Sequence, residues 1–464
     1  MKKLRILSAF LSAMLALSVL ASCSAGDTEK IPLPTAPQQE LGAAPEIPVD
    51  ETDYDKLFED AFAKAKMLGE ADFSYEVKDG TATILKYSGS ETAIAIPDTL
   101  DGAEVTAIGE GAFADLAELS VLYIPPTVQS LGKGILKGCD SLQALSTPQL
   151  GATRGGEGYL GYLFGATSYM DNGRDVPATL TLVKLGGPGG GDRVPNFAFF
   201  ECNDLLAVRL SGAIKTIGKY AFYQCIELKY LDFDMFHLLS IEEHALDSCV
   251  SLTDLNLGKG LKSIGLGALE GCSGLYRLTL PFVGGSEDEN NYLAYVFGAD
   301  VPDFAKGYYP PRLQEVIVTE GCQSLGNYAF FECETLRRVT LPEGLEEIGV
   351  RAFADCDALT EIKLPTSLSA IRENAFVDCD YLEKVIFEGE KLEKIGVNAF
   401  YNCVSIKEIK LPASLTTLPA SCFANCVSLE TIDMQGVKKV EKNALRNCPA
   451  LVTTNAADGV EYED

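Results

Sequence analysis

Eleven of the fourteen cysteines recur at one position of a repeating pattern: Cys139, Cys202, Cys225, Cys249, Cys272, Cys333, Cys356, Cys379, Cys403, Cys426 and Cys448. A zinc site needs about four thiolates or imidazoles converging on a point, in paired short spacings, and a series spaced by whole repeats does not converge. Disulfides between neighbours need Cα atoms within about 7 Å, and rungs on the convex side of a stacked-repeat fold are expected to fan apart further than that. The ladder reads as free, buried thiols acting as small hydrophobes, ahead of bridging or metal binding. Cys322 and Cys422 lie off the ladder and stand as exceptions to it.

Other residues with chemical potential are sparse. His237 and His244 are the only histidines, with no serine or cysteine nucleophile motif beside either, so they read as surface or packing residues. Gly186-Gly187-Pro188-Gly189-Gly190-Gly191 lacks the Lys and Ser or Thr of a phosphate-cradling loop and reads as a turn. Ser286-Glu287-Asp288-Glu289-Asn290-Asn291 clusters oxygen ligands without the spacing of a calcium-binding hand, so a solvated acidic loop is the preferred reading. No catalytic residue, metal site or cofactor is assigned. A glycan hydrolase using two carboxylates would need a pair fixed within about 5 to 10 Å, and no acidic pair interrupts the repeats in a way that suggests a cleft.

What remains is the outward row of the strands, which in repeat folds supplies an extended binding surface. The candidate ligand-binding residues are Arg209, Tyr230, Asp232, Asp254, Asn256, Arg277, Thr279, Arg338, Thr340, Glu361, Lys363, Lys384, Glu408 and Lys410. Six of these fourteen are basic in a chain of net charge −28, a contrast that hints at a stripe for an acidic partner, while a solvated face with offsetting charges is the plainer reading. The overall negative charge disfavours nucleic acid and anionic lipid surfaces as partners.

The elements that would position this row come from one repeated unit. Its leading aliphatic stands at Leu119, Leu142, Leu180, Leu205, Leu228, Leu252, Leu275, Leu313, Leu336, Leu359, Leu382, Ile406, Leu429 and Leu451. Most intervals are 22 to 25 residues, and two are 38. In Leu359-x-x-Ile362-x-Leu364-Pro365 the alternation is that of a strand with one buried face, which the proline stops. Ile371, Ala375, Phe376, Cys379 and Leu382 then follow at offsets that a short helical or turn segment would place inward. One unit cannot bury its apolar face alone, so stacked neighbours must supply the other side. The expected architecture is a β-rich α/β repeat solenoid over 94–454, with one short parallel strand per repeat and long repeats near 142–180 and 275–313. The long units match each other at an offset of 133, as in Tyr162-Leu163-Phe164-Gly165-Ala166 and Tyr295-Val296-Phe297-Gly298-Ala299, which points to duplication of a multi-repeat block.

The ends depart from the pattern. Residues 51–93 carry a helix-spaced run (Leu57, Phe58, Ala61, Phe62, Ala65, Leu68) and a hairpin around Asp79-Gly80, read together as a cap over the first rung. Residues 455–464 read as an acidic tail. Residues 1–22 have the positive start and apolar stretch of an export signal, and Leu20-Ala21-Ser22-Cys23 resembles the lipobox of bacterial lipoproteins. That resemblance implies lipidation at Cys23 and an anchor in the membrane, and the Pro-rich composition up to Asp50, with no hydrophobic period, reads as a flexible linker over 23–50.

The Ile-Pro-x-x-Leu-x-x-Ile-Gly-x-x-Ala-Phe-x-x-Cys-x-x-Leu pattern, running roughly from Ile94 to Leu451, resembles the BspA-like leucine-rich repeat family of surface proteins. Leu136, Leu246, Leu269 and Leu445 replace its Phe, and Leu116 replaces its Cys. The resemblance implies a solenoid exposed on the bacterial cell surface that binds a host or microbial protein or glycan and carries no catalytic motif. An envelope scaffold is the alternative.

Overall fold

The structure is a computed structural model that describes residues 50–188, 191–289, 291–302 and 305–463. They fall in one compact unit spanning Thr35–Asp464. The export signal, Cys23 and nearly all of the linker lie outside the described residues. No described helix is long and apolar enough to cross a membrane.

Most repeats turn once and add a rung to two parallel ladders, where one strand per repeat was expected; the two long units add a longer strand, with no shorter one among the described residues. The longer strands, such as Glu361–Leu364 and Lys384–Phe387, pair in register, Ile362 with Val385 and Leu364 with Phe387. The shorter ones are two residues long, as in Ala370–Ile371, which pairs with Glu347–Ile348 on one side and Lys394–Ile395 on the other. In the longer strand Ile362 and Leu364 are buried while Lys363 is exposed, the period of two that the sequence carries. The result is a leucine-rich-repeat solenoid, mostly strand with little helix.

The Ala-Phe-x-x-Cys segment forms turns and no helix. Its backbone becomes left-handed at two positions four residues apart: Arg351 and Asp355, Asn374 and Asp378, Asn398 and Asn402, with glycines at Gly134 and Gly138. Asn, Asp and Gly adopt that conformation at least cost, and each such residue interrupts a helix before it can propagate.

These turns do not fan apart, contrary to the expectation for the convex side. Phe330, Phe353, Phe376, Phe400 and Phe423 stack ring on ring with centroid spacings of 4.9 to 5.1 Å, close to the ~4.8 Å between neighbouring strands. Main-chain bonds fix the interval, as where Phe353 N–H donates to Ala375 O at 2.7 Å and Asp355 N–H to Val377 O at 3.0 Å.

The long units keep this spacing by insertion. The 3-10 helices Leu160–Phe164 and Leu293–Phe297 take the place of a turn segment: Leu136 N–H donates to Leu163 O, and Leu269 N–H to Val296 O. Each ends on a left-handed glycine, Gly165 or Gly298. They are built into the stack, with Leu160, Leu163, Leu293 and Val296 fully buried.

The hairpin Phe73–Lys78 and Thr81–Tyr87 adds to one ladder through the pairing of Thr81–Tyr87 with Ala103–Ile108, and Lys66–Met67 adds to the other through Ile94 and Ala95. The helix Tyr54–Phe62 does not cap the first rung; it lies across the outward face of the longer strands, with Tyr54 and Phe58 packed against Val121, Ala144, Leu182 and Ala207. The acidic tail is also corrected. Thr453–Ala456 pairs with Thr431–Met434, and Glu461–Tyr462 pairs with Lys439–Val440, so the chain finishes as one more rung whose side chains are mostly exposed.

Candidate functional site

The outward face of the longer ladder divides into two chemically different halves. Its first outward column runs Ala93, Val121, Ala144, Leu182, Ala207 and Tyr230, and then Asp254, Arg277, Glu315, Arg338, Glu361, Lys384 and Glu408. The apolar half is where the N-terminal helix sits. Tyr54 stacks on Tyr230 with centroids 4.6 Å apart, and the Arg209 guanidinium lies 4.6 Å from the centre of the Phe58 ring. Arg209 pairs with Asp232 at 2.7 Å and with Asp55 of the helix. The Tyr54 hydroxyl donates to Asp50, and burial pushes that phenol well above its ordinary range.

Arg209, Tyr230 and Asp232 therefore serve as the seat of the chain's own helix. Nothing in the repeat spacing announced this. The signal was present in the residue types, since Val121, Ala144, Leu182 and Ala207 are apolar where an open solenoid face would be polar.

Beyond Tyr230 the face is open, and its charges alternate along the first column instead of forming a basic stripe. Arg277 is held between two carboxylates, Asp254 through Nε at 3.0 Å and Glu315 at 3.7 Å. Glu315 and Ile317 belong to this row and went unread, because the 38-residue unit separates them from Arg277 and Thr279 in the chain.

Arg338, Lys363, Lys384 and Lys410 are exposed and enter no salt bridge among the described residues. They flank two grooves. One, of about 600 Å³, is lined by Arg338, Thr340, Glu361, Lys363 and Glu388. The other, of about 680 Å³, is lined by Lys384, Ile386, Glu408, Lys410, Asp433 and Asn455. Asp254, Asn256 and Arg277 line a smaller one of about 420 Å³ that ends against Tyr54 and Asp50. Such shallow, mixed-charge grooves suit non-covalent contact with a ligand spread over several rungs.

All thirteen cysteines among the described residues are free, and all except Cys448 are buried. In the acidic loop the Ser286 hydroxyl accepts from the Glu289 N–H at 2.9 Å, a local turn; Asn290 lies outside the described residues. Gly186 begins its loop in the left-handed region, and Gly189 and Gly190 lie outside the described residues. His237 is exposed and pairs with Asp234 at 2.8 Å. His244 is half-buried, stacked on Tyr220, and faces Asp247 and Glu270.

The BspA type leucine rich repeat region matches residues 47–154, 185–285, 305–429 and 387–462 in six copies. Similar solved structures include a leucine rich cell surface protein from Faecalibacterium prausnitzii, 21% identical over 86% of this chain and 94% of that one, with a TM-score of 0.32. A leucine-rich repeat protein from Bacteroides ovatus is 19% identical over 84% and 88%, with a TM-score of 0.35. The pneumococcal vaccine antigen PcpA is 18% identical over 85% and 97%, with a TM-score of 0.31. No curated protein matches the sequence.

Proposed function

The chain belongs to the BspA type leucine-rich-repeat family, whose repeats are generally non-catalytic binding units, and from that premise we propose a cell-surface adhesin that grips its ligand on the open half of the strand face. The ligand is a protein or glycan of a host or another microbe, contacted between Asp254 and Asn455. The observation that carries this reading is the division of the face: the N-terminal helix fills the apolar half, and the half left open presents four unpaired cations beside two grooves. Unpaired cations in an acidic protein select for ligand carboxylates or sulfates, while the alternating acidic residues reject a plain polyanion. The Leu20-Ala21-Ser22-Cys23 motif supports anchoring through lipid at Cys23, since each buried acyl methylene contributes about 0.8 kcal/mol.

The test is an array of matrix proteins and glycans probed with the purified chain, followed by Lys363→Glu with Lys384→Glu against the ligand found. The double variant is expected to weaken binding by at least about tenfold, as each contact to a charged group is worth roughly 1 kcal/mol or more. Lys262→Glu, off the strand face, serves as the control. Equal binding by all three proteins would remove the open face from consideration. Separately, Cys23→Ala is expected to move the chain from the membrane fraction into the medium.

A further inference from the structure

His244, Asp247 and Glu270 come from two consecutive rungs and turn their donor atoms toward one point. Asp247 and Glu270 occupy the same repeat position, each directly after the Phe or Leu that precedes the ladder cysteine by three residues. His244 lies three residues before Asp247. His244 Nδ1 stands 3.1 Å from Asp247 Oδ2 and 3.5 Å from Glu270 Oε2, and the three donor atoms all lie within 4.8 Å of one another. Donors bound to zinc at ~2.0–2.1 Å in a tetrahedron stand about 3.3–3.4 Å apart, so both edges through the imidazole already have the required length.

The surroundings hold these groups and keep the space around them clear. The imidazole is stacked on Tyr220 at 4.9 Å and nearly parallel, from a left-handed backbone position. The other Asp247 oxygen accepts the Ser248 hydroxyl at 2.7 Å, which orients the carboxylate. Two glycines flank the donors. A Cβ on Gly267 would lie 2.8 Å from His244 Cε1, 2.9 Å from Nδ1 and 3.0 Å from Glu270 Oε2, and a Cβ on Gly298 would lie 2.8 Å from the same Glu270 oxygen. Gly298 closes the 3-10 helix of the long unit, so that insertion brings an uncluttered backbone against the site.

We propose that His244, Asp247 and Glu270 form a zinc-binding site that ties two rungs together and leaves a fourth coordination position open. One imidazole with two carboxylates favours zinc over calcium or magnesium, which take oxygen ligands. The neighbouring thiols do not compete, because Cys225, Cys249 and Cys272 are fully buried and each donates to a main-chain carbonyl. The proposal is independent of the adhesin reading and uses none of its residues.

The test is titration of the full chain with Zn²⁺ and with Co²⁺ in excess magnesium, which occupies the many exposed carboxylates. Wild type is expected to bind one equivalent, with the visible absorption of four-coordinate cobalt and no sulfur charge-transfer band. His244→Asn is a mild change, because the same left-handed position is filled by Asn374, Asn398 and Asn443 in other repeats. It is expected to lose the stoichiometric site and the cobalt band, as are Asp247→Asn and Glu270→Gln, while His237→Asn keeps both. Absence of stoichiometric binding in wild type, or unchanged binding by His244→Asn, would overturn the site.

Discussion

The Cys379 thiol donates a hydrogen bond to the main-chain carbonyl of Phe353, one rung earlier, at 3.0 Å. The same bond recurs from Cys225 to Phe199, Cys356 to Phe330, Cys403 to Phe376 and Cys426 to Phe400, at 3.0 to 3.3 Å. The Phe353 carbonyl also accepts the Cys356 N–H at 3.3 Å, so the thiol fills the second lone pair of an oxygen that has no access to water. The ladder cysteine is therefore a small hydrophobe with a donor aimed across the repeat boundary.

Replacing Cys379 by Ala removes that donor and leaves a small cavity, and is expected to destabilise the chain by about 1–2 kcal/mol. Denaturant unfolding measures this. The native thiols are also expected to resist an aromatic disulfide reagent at pH 8. Burial pushes Cys139 and Cys448 up to about 11, and Cys448, the one partly exposed member, should react first. Rapid reaction of the whole ladder in the folded chain would contradict its burial.

The phenylalanine column allows a graded test. Phe376 is fully buried between Phe353 and Phe400, at 5.0 and 4.9 Å. Phe376→Ala is expected to cost about 3–5 kcal/mol. Phe376→Leu should cost under about 2 kcal/mol, because Leu246 and Leu269 fill the same position in native rungs. Equal losses for the two variants would show that ring stacking, not volume, sets the column's stability.

How far the sequence revealed this follows from which contacts are periodic. Ile362, Leu364, Phe376 and Cys379 each meet their own equivalents one repeat away, so the spacing that identifies them also places them. The helix Tyr54–Phe62 meets Arg209 and Tyr230 more than 140 residues later, and no period encodes that contact. His244, Asp247 and Glu270 likewise assemble because adjacent rungs lie about 5 Å apart, closer than the fanning the sequence reading assumed. The last rung was misread as a tail because Thr453 to Tyr462 lacks the aliphatic alternation of earlier strands.

The helix seat should be separable from the solenoid. Phe58→Ala deletes a ring that is 2% exposed and carries the Arg209 contact, weakening the docking by about 3 kcal/mol. Hydrogen exchange over 54–62 is expected to accelerate strongly, with protection over 350–430 unchanged, because each repeat is stabilised by its neighbours. Simultaneous loss of protection in both regions would show that the helix is part of the solenoid's cooperative unit.

The pH dependence of stability provides a further test, centred on the turns around Cys356 and Cys379. Burial, followed by the charges of Asp378 and Glu332, raises Asp355 to about 6, and burial with Asp380 and Glu334 raises Asp357 to about 7. Asp378 and Asp380 are raised by the same burial. Unfolded, these carboxyls titrate near ~3.9, so between pH 4 and 7 the folded chain binds more protons than the unfolded one. Their contribution is then fully present below about pH 4 and is lost as pH rises through about 6 to 7. Melting temperature should therefore rise on acidification from pH 8 to about pH 5. The background from net charge is removed by Asp355→Asn with Asp357→Asn, replacements already found at the equivalent Asn402 and Asn203. That variant is expected to melt higher than wild type at pH 8, with the gap closing near pH 5. A gap that stayed constant across this range would mean that the two carboxyls titrate in the folded chain as they do in water.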